Sequence, residues 1–325
     1  MAQYVGLDVH LRTCHATVMN ERGEILKQEK FPNERMELER VFKGIGDAKV
    51  AMEACYCWQP TYELIESMGY EVKLAHPAKT RIIAEAKIKT DAADSERLAH
   101  LLRANLLPTS YVPPKELREL RELVRLRTYL VRERTRFKNK IHAELAKRGI
   151  RFTGSPFTKR RAPLLKELGI KAVDDCFSMI GALDERIRKI SVQLRQNASE
   201  SEEAKLLMSI HGVGYFSALA ILAEIGDISR FGDAEKLCSY AGLVPSVHQS
   251  GATRRYGRIT KQGSGMLRWV LLECVWTHLR YDTWLTRFFH RVVRRKGKKV
   301  AAVATARKLL VAMYWMLKNR EGFRA

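Results

Sequence analysis

The sequence predicts a mixed α/β domain at its N-terminus, a long helical arm, and a C-terminal domain built of helices. Three observations lead there. Short apolar runs of strand length alternate with amphipathic stretches up to about residue 110. Arginine-rich heptads then run from Lys115 to Arg151, and most of the remaining chain has helical period with glycine-marked turns. The boundaries fall at residues 1–110, 111–200 and 201–325.

The first apolar run, "YVGLD" at residues 4–8, ends on an acid. "HATVMN" and "ILKQEKF" follow at hairpin spacing, so three antiparallel strands are expected. A helix is predicted from Asn33 to Lys43, a fourth strand over "AKVAME" ending at Glu53, a helix over "PTYELIESMG" stopped by Gly69, and a fifth strand over "YEVKLA". In "KTDAADSERLAHLLRANLL", Asp91 and Asp94 lie three apart at the start of a helix whose Leu98, Leu101 and Leu102 face inward, so both carboxylates share one face.

Further on, Leu117, Leu120, Val124, Val131, Ile141 and Leu145 form one stripe, among 13 basic and 5 acidic residues between Lys115 and Arg151. A break around Gly154, Ser155 and Pro156 precedes a second stripe of Ile180, Leu183, Ile187, Ile190 and Leu194. The two can pair into a coiled-coil arm or pack as a bundle on their own domain. Gly212 and Gly214 sit between two apolar stretches, as in a helix-hairpin-helix element whose glycines let backbone N–H groups meet a phosphate; a plain tight turn reads the same way. A buried helix is expected from Met266, then a basic stretch holding Arg294, Arg295, Lys296, Lys298 and Lys299, then a final apolar helix. Trp269, Trp276, Trp284 and Trp315 read as core, and His278 and His290 as structural.

Composition narrows the function. The chain of 325 residues carries 58 Lys and Arg against 36 Asp and Glu, a formal net charge of +22, on a globular background of 46% hydrophobic residues. Such a surface attracts polyanions, nucleic acid first. With no apolar run long enough to span a bilayer and no basic leader, the expectation is a cytoplasmic protein without a membrane partner. Six cysteines show no paired metal spacing and read as reduced thiols.

Each acid has a bland reading: Asp8 as a strand-end turn residue, Glu53 as a surface acid, Asp91 as a helix N-cap, and Asp94 as a first-turn acid favoured by the helix dipole. Acids ending two neighbouring strands, with an i, i+3 pair on a following helix, can instead converge on divalent cations. Hard oxygen donors suit Mg2+ or Mn2+, and such ions promote phosphoryl transfer.

"GLDVH", "MEAC" and "KTDAADSERLA" resemble the RuvC-like, RNase H-type DEDD domain of the insertion-sequence 110 family of transposases. "GLVPSVHQSG" and "GRITKQGSGMLR" resemble that family's second conserved block, so the likeness covers nearly the whole chain; it departs at "ACYCW" after Glu53. The resemblance implies that Asp8, Glu53, Asp91 and Asp94 are a metal-binding tetrad and that Ser250 is the nucleophile, forming a phosphoserine link to DNA. It implies an arm that dimerises and grips RNA. It also implies a structured noncoding bridge RNA that pairs with donor and target double-stranded DNA, and a homo-oligomer, dimer or tetramer, in which the two domains meet on DNA. Arg254, Arg255, Arg258 and Lys261, close behind Ser250, are candidate phosphate contacts by charge and proximity. Ser246 and Ser264 read as turn residues. A water-using nuclease with the same acids, a binding scaffold without cutting, and a site-specific DNA invertase are the other readings.

Overall fold

Apolar alternation in the first hundred residues builds one sheet with two covered faces. Strands β1 (Gln3–Val9), β2 (Thr13–Met19) and β3 (Ile25–Pro32) form an antiparallel meander. After helix α1 (Arg35–Phe42), strand β4 (Ala48–Glu53) joins β1 in parallel, and after α2 (Trp58–Ser67), β5 (Glu71–Ala75) joins β4 in parallel, giving the order β3-β2-β1-β4-β5. Helices α3 (Pro77–Ile83) and α4 (Asp91–Arg103) complete this unit. The computed structural model describes residues 2–83, 90–158, 160–251 and 253–324, and divides into two units, Met1–Val112 and Pro113–Ala325. Both crossovers to parallel strands pass through helices, as parallel pairing requires. The five expected strands are all present, and α2 begins at Trp58, ahead of the expected Pro60.

Period-2 alternation sorts the side chains by face. Val5, Leu7, Val9, Val50, Met52 and Leu74 pack against Leu38, Val41 and Phe42 of α1 and Tyr62 and Ile65 of α2. On the opposite face Ala51 and Ala75 meet Leu98 and Leu102 of α4. The small residues there let α4 lie close to the sheet. A Cβ placed on Gly6 would come within 1.9 Å of the Ser95 carbonyl oxygen and 2.6 Å of the Ala99 amide nitrogen. Ser95 then ties α4 to β2, its hydroxyl hydrogen-bonding Thr17 Oγ1 at 2.7 Å and His15 Nδ1 at 2.9 Å.

The second unit contains α5 (Lys115–Ala146), α6 (Ala162–Glu167), α7 (Lys171–Glu200), α8 (Glu202–Met208), α9 (Tyr215–Ile225) and α10 (Ala234–Tyr240). A two-stranded hairpin, β6 (Pro245–Ser250) and β7 (Thr253–Ile259), comes next, then α11 (Gly265–His278), α12 (Trp284–Lys296) and α13 (Lys298–Asn319). Helices α5 and α7 run against each other with Val124, Ile141 and Leu145 facing Ile180, Ile187, Ile190 and Leu194; Arg134 pairs with Asp184 at 2.6 Å. Part of both stripes is also covered by α9, which shares its core with Val124, Ile190 and Leu194.

Three expectations need correction here. The hairpin makes the C-terminal region less than wholly helical: its strands are solvent-exposed over most of their length, so no apolar alternation marks them. Trp276 and Trp315 are about half exposed (46% and 51%), and so are not core residues; the packing is carried by neighbours such as Cys274, Val275, Met313 and Tyr314. Finally, α13 is long and apolar enough to cross a membrane by length and composition. Yet 56% of its apolar stretch is buried, Leu309, Leu310, Met313 and Leu317 lying in the core with α9, α10 and α11. His278 is structural as expected: it is buried, with Nδ1 bonded to the His211 carbonyl at 2.7 Å and Nε2 to Thr283 Oγ1 at 2.6 Å. All six cysteines are free.

Candidate functional site

The β1–β4 register pairs Leu7 with Met52, so its continuation sets Asp8 beside Glu53 where the two parallel strands end. Gly6 and Ala51, two residues back on each strand, both face α4, and alternation puts Asp8 and Glu53 on that same side. The first turn of α4 supplies Asp91 and Asp94. Thr90, and not Asp91, is its N-cap, with its hydroxyl accepting from the Ala93 amide at 3.1 Å, so Asp91 is free for another role.

The structure draws Asp8, His10 and Asp91 together, one ligand atom from each lying within 4.8 Å of the others. His10 Nε2 stands 3.3 Å from Asp8 Oδ2 and 3.5 Å from Asp91 Oδ1. Glu53 and Asp94 are not part of this group; the strand register sets Glu53 next to Asp8 on the sheet, and Asp94, whose charge acts on Asp8, pairs with Arg97 at 2.9 Å. His10 escaped sequence reading, although the Asp-x-His spacing at a strand end puts both side chains on one face.

The electrostatics suit a cation. Burial, together with the charges of Asp91 and Asp94, pushes the Asp8 carboxyl above its ordinary range despite the opposing pull of His10. The Asp91 carboxyl is held low instead, chiefly by Lys30, whose Nζ lies 2.8 Å from Oδ2. Burial lowers the His15 imidazole, paired with Asp8 across β1 and β2. Crowded hard oxygen donors with one imidazole fit a small divalent ion.

The second group of candidates lies in the other unit. Ser250 ends β6 and pairs with Thr253 across a two-residue turn. Gly251 takes φ +55° there, a left-handed value that glycine accommodates, while Ala252 lies outside the described residues. Ser250, Arg254, Arg255 and Arg258 are exposed, and no carboxylate pairs with them among the described residues. Arg254 stacks on Tyr256 at 5.0 Å. The hairpin's base is tight. A Cβ on Gly242 would meet the Gln262 carbonyl oxygen at 2.4 Å, and Lys261, at φ +56°, donates its amide to the Gly242 carbonyl at 3.2 Å. The competing serines are engaged structurally: Ser264 caps α11 and donates to the buried Glu224 at 2.8 Å, and Ser246 packs against Gly257.

Gly212 takes φ +90°, and a Cβ there would strike the His278 amide nitrogen at 2.8 Å, so its close approach is to its own chain. Gly214, at the N-cap of α9, has nothing near its Cβ position. Arg294, Arg295 and Lys296 close α12, and Lys298 and Lys299 open α13 after Gly297; all five cations are exposed. The last two stand at a helix N-terminus, whose dipole repels cations, so an anion there relieves a local cost. Beside them, missed in the sequence, a cleft of about 610 Å3 is lined by Trp284, Arg287, Phe288, Arg291, Arg294 and Lys308. Its mix of aromatic faces and cations suits nucleic acid.

Comparison with known proteins bears on both units. A family described as "Transposase", of the DEDD IS110 type, matches residues 5–148, and the "Transposase IS116/IS110/IS902 family" matches residues 204–290. The chain is 28% identical to the transposase for insertion sequence element IS1111A of Coxiella burnetii, over 98% of this chain and 91% of that protein. It is 26% identical to the transposase for insertion sequence element IS1328 of Yersinia enterocolitica, over 94% and 93%.

Proposed function

The chain belongs to the IS110 family of transposases, enzymes that cut DNA and transfer its strands, and from that premise we propose that it breaks and rejoins DNA through a covalent link to Ser250. The observation that carries the reading is an exposed serine at the tip of a cationic hairpin free of carboxylates. An alcohol there meets a phosphate without electrostatic hindrance. Its oxygen attacks the phosphorus and displaces a sugar oxygen, and the resulting phosphoserine diester keeps the bond energy needed for resealing. Arg254, Arg255, Arg258 and Lys261 are the hairpin's contacts to DNA phosphates, and those on the serine's own face stabilise the charge that builds at the attacked phosphorus.

In the first unit, Asp8 and Asp91, with Glu53 and Asp94 adjoining, would hold Mg2+ or Mn2+. A divalent ion held there would polarise a phosphodiester and neutralise its charge. The backbone turn at Gly214 and the cations Arg294, Arg295, Lys296, Lys298 and Lys299 bind DNA or RNA phosphates along the strand, which carries affinity and no base sequence. Sequence choice is left to a structured guide RNA that pairs with donor and target DNA; the net charge of +22 supports a protein holding that much nucleic acid. The α5–α7 pair is the arm that dimerises, and a dimer or tetramer is the working form.

Trapping tests the reading. A denaturation-resistant protein–DNA adduct should form with the native chain and with Ser246→Ala and be lost in Ser250→Ala. Metal-dependent cutting that survives Ser250→Ala would instead assign the attack to water.

A further inference from the structure

We infer that His248 is the general base that removes the proton from Ser250, with Arg255 holding the attacked phosphate. This rests on the reading of Ser250 as nucleophile. The β6–β7 register pairs Ser250 with Thr253, Gln249 with Arg254, His248 with Arg255 and Val247 with Tyr256. Cross-strand partners share a face, and alternate residues along a strand share a face. Ser250, His248, Thr253 and Arg255 therefore lie on one side of the hairpin, and Gln249, Val247, Arg254 and Tyr256 on the other. The stacking of Arg254 on Tyr256 at 5.0 Å independently places those two together on the far side. Two of the candidate cations thus separate by position: Arg255 accompanies the serine, while Arg254 is turned away from it.

Reach and chemistry agree with this assignment. Residues i and i+2 on a strand are about 6.8 Å apart, and a diagonal neighbour on the paired strand about 7–8 Å, spans that an imidazole and a guanidinium can bridge to one phosphate. The stretch from Pro245 to Gly265 holds no Asp or Glu and one histidine, so within the hairpin His248 alone combines proton affinity with the right face. Both side chains are exposed. In the step, the Ser250 Oγ–phosphorus bond forms and the bond from phosphorus to the leaving sugar oxygen breaks. His248 takes the Oγ proton. The leaving oxygen departs with the bonding electron pair and takes a proton from water, and the hydroxide so formed recovers the proton from the imidazolium. A general base contributes about 10²–10⁴ to rate.

The experiment uses the full chain with its copurifying nucleic acid, Mg2+, and labelled duplex carrying an end of the element that encodes the chain. It measures the rate of covalent adduct formation at saturating DNA. His248→Ala should slow the adduct at least about 100-fold with DNA affinity within about twofold, and added imidazole should recover at least about tenfold of the loss. Gln249→Ala, on the opposite face, should react at the native rate. An adduct rate within threefold of native for His248→Ala, while Ser250→Ala forms none, overturns the base assignment and leaves the serine reading standing. So does a slow His248→Ala that imidazole fails to rescue, which makes the residue a positioning group. Adduct formation that persists in Ser250→Ala sinks the serine reading itself, and the base assignment with it.

Discussion

Replacing Gly6 by alanine tests whether the close seating of α4 on the sheet sets the geometry of the acids. The added Cβ would lie 1.9 Å from the Ser95 carbonyl oxygen, and an ordinary contact needs roughly 3.4 Å, so α4 or β1 must give way by about 1.5 Å. Overpacking of this kind costs about 1–3 kcal/mol. In a unit of this size each kcal/mol lowers the melting temperature by about 4–8 °C, so a fall of roughly 5–20 °C is expected for the unfolding of this unit. The shift also displaces Asp91 and Asp94 relative to Asp8, and a misplacement of about 1 Å can cost about 100-fold in rate. Gly46→Ala is the control, since nothing lies within 4 Å of its Cβ position and its φ is not left-handed. Calorimetry and metal-dependent strand cutting should both show the loss for Gly6→Ala alone. A variant with native melting and native cutting would refute the claim that this contact positions the site.

Three other outcomes are expected. Asp8→Asn should abolish cutting yet melt no lower than the native chain in EDTA at neutral pH. The raised carboxyl pKa means that the fold disfavours its ionised form, a penalty present at neutral pH and relieved as pH falls through that pKa, so the variant's advantage should vanish in acid. Glu144, pulled down to about 2 by Arg148, Lys140 and Lys147, contributes stability present above about pH 4.5 and lost as pH falls toward 2. Denaturant midpoints of Glu144→Gln should therefore be lower than native at pH 7 and converge with it in strong acid. Finally, Lys298→Gln with Lys299→Gln should flatten the plot of log affinity against log salt for duplex DNA by about 1.8, two phosphates' worth, while leaving melting unchanged or slightly raised. An unchanged slope removes these lysines from the interface.

The strand ends at Asp8 and Glu53 and the helix start at Asp91 and Asp94 were legible in the sequence, because a strand that ends on a carboxylate is a local pattern, visible in "YVGLD" and "AKVAME", and an i, i+3 pair at a helix start fixes a shared face. The stripes of α5 and α7 were legible for the same reason, since heptad spacing survives without knowledge of the partner. The hairpin was not. Its residues face water on both sides, so neither period nor hydrophobicity distinguishes "PSVHQS" and "TRRYGRI" from a loop, and only pairing reveals that Ser250 shares a face with His248 and Arg255. Lys30 was missed because its contact with Asp91 crosses strands and reaches α4, and His10 because the Asp-x-His spacing gives its face beside Asp8 but not the approach of Asp91 from α4. Trp276 and Trp315 were misjudged because an aromatic on a core helix can point outward as readily as inward.

The most direct measurement is mass spectrometry of the trapped adduct after nuclease and protease digestion. The expected result is a single nucleotide on the peptide containing Ser250, absent when Asp8 is replaced by asparagine. A nucleotide on any other residue, or strand transfer proceeding with no protein-bound DNA at any time, would contradict the account.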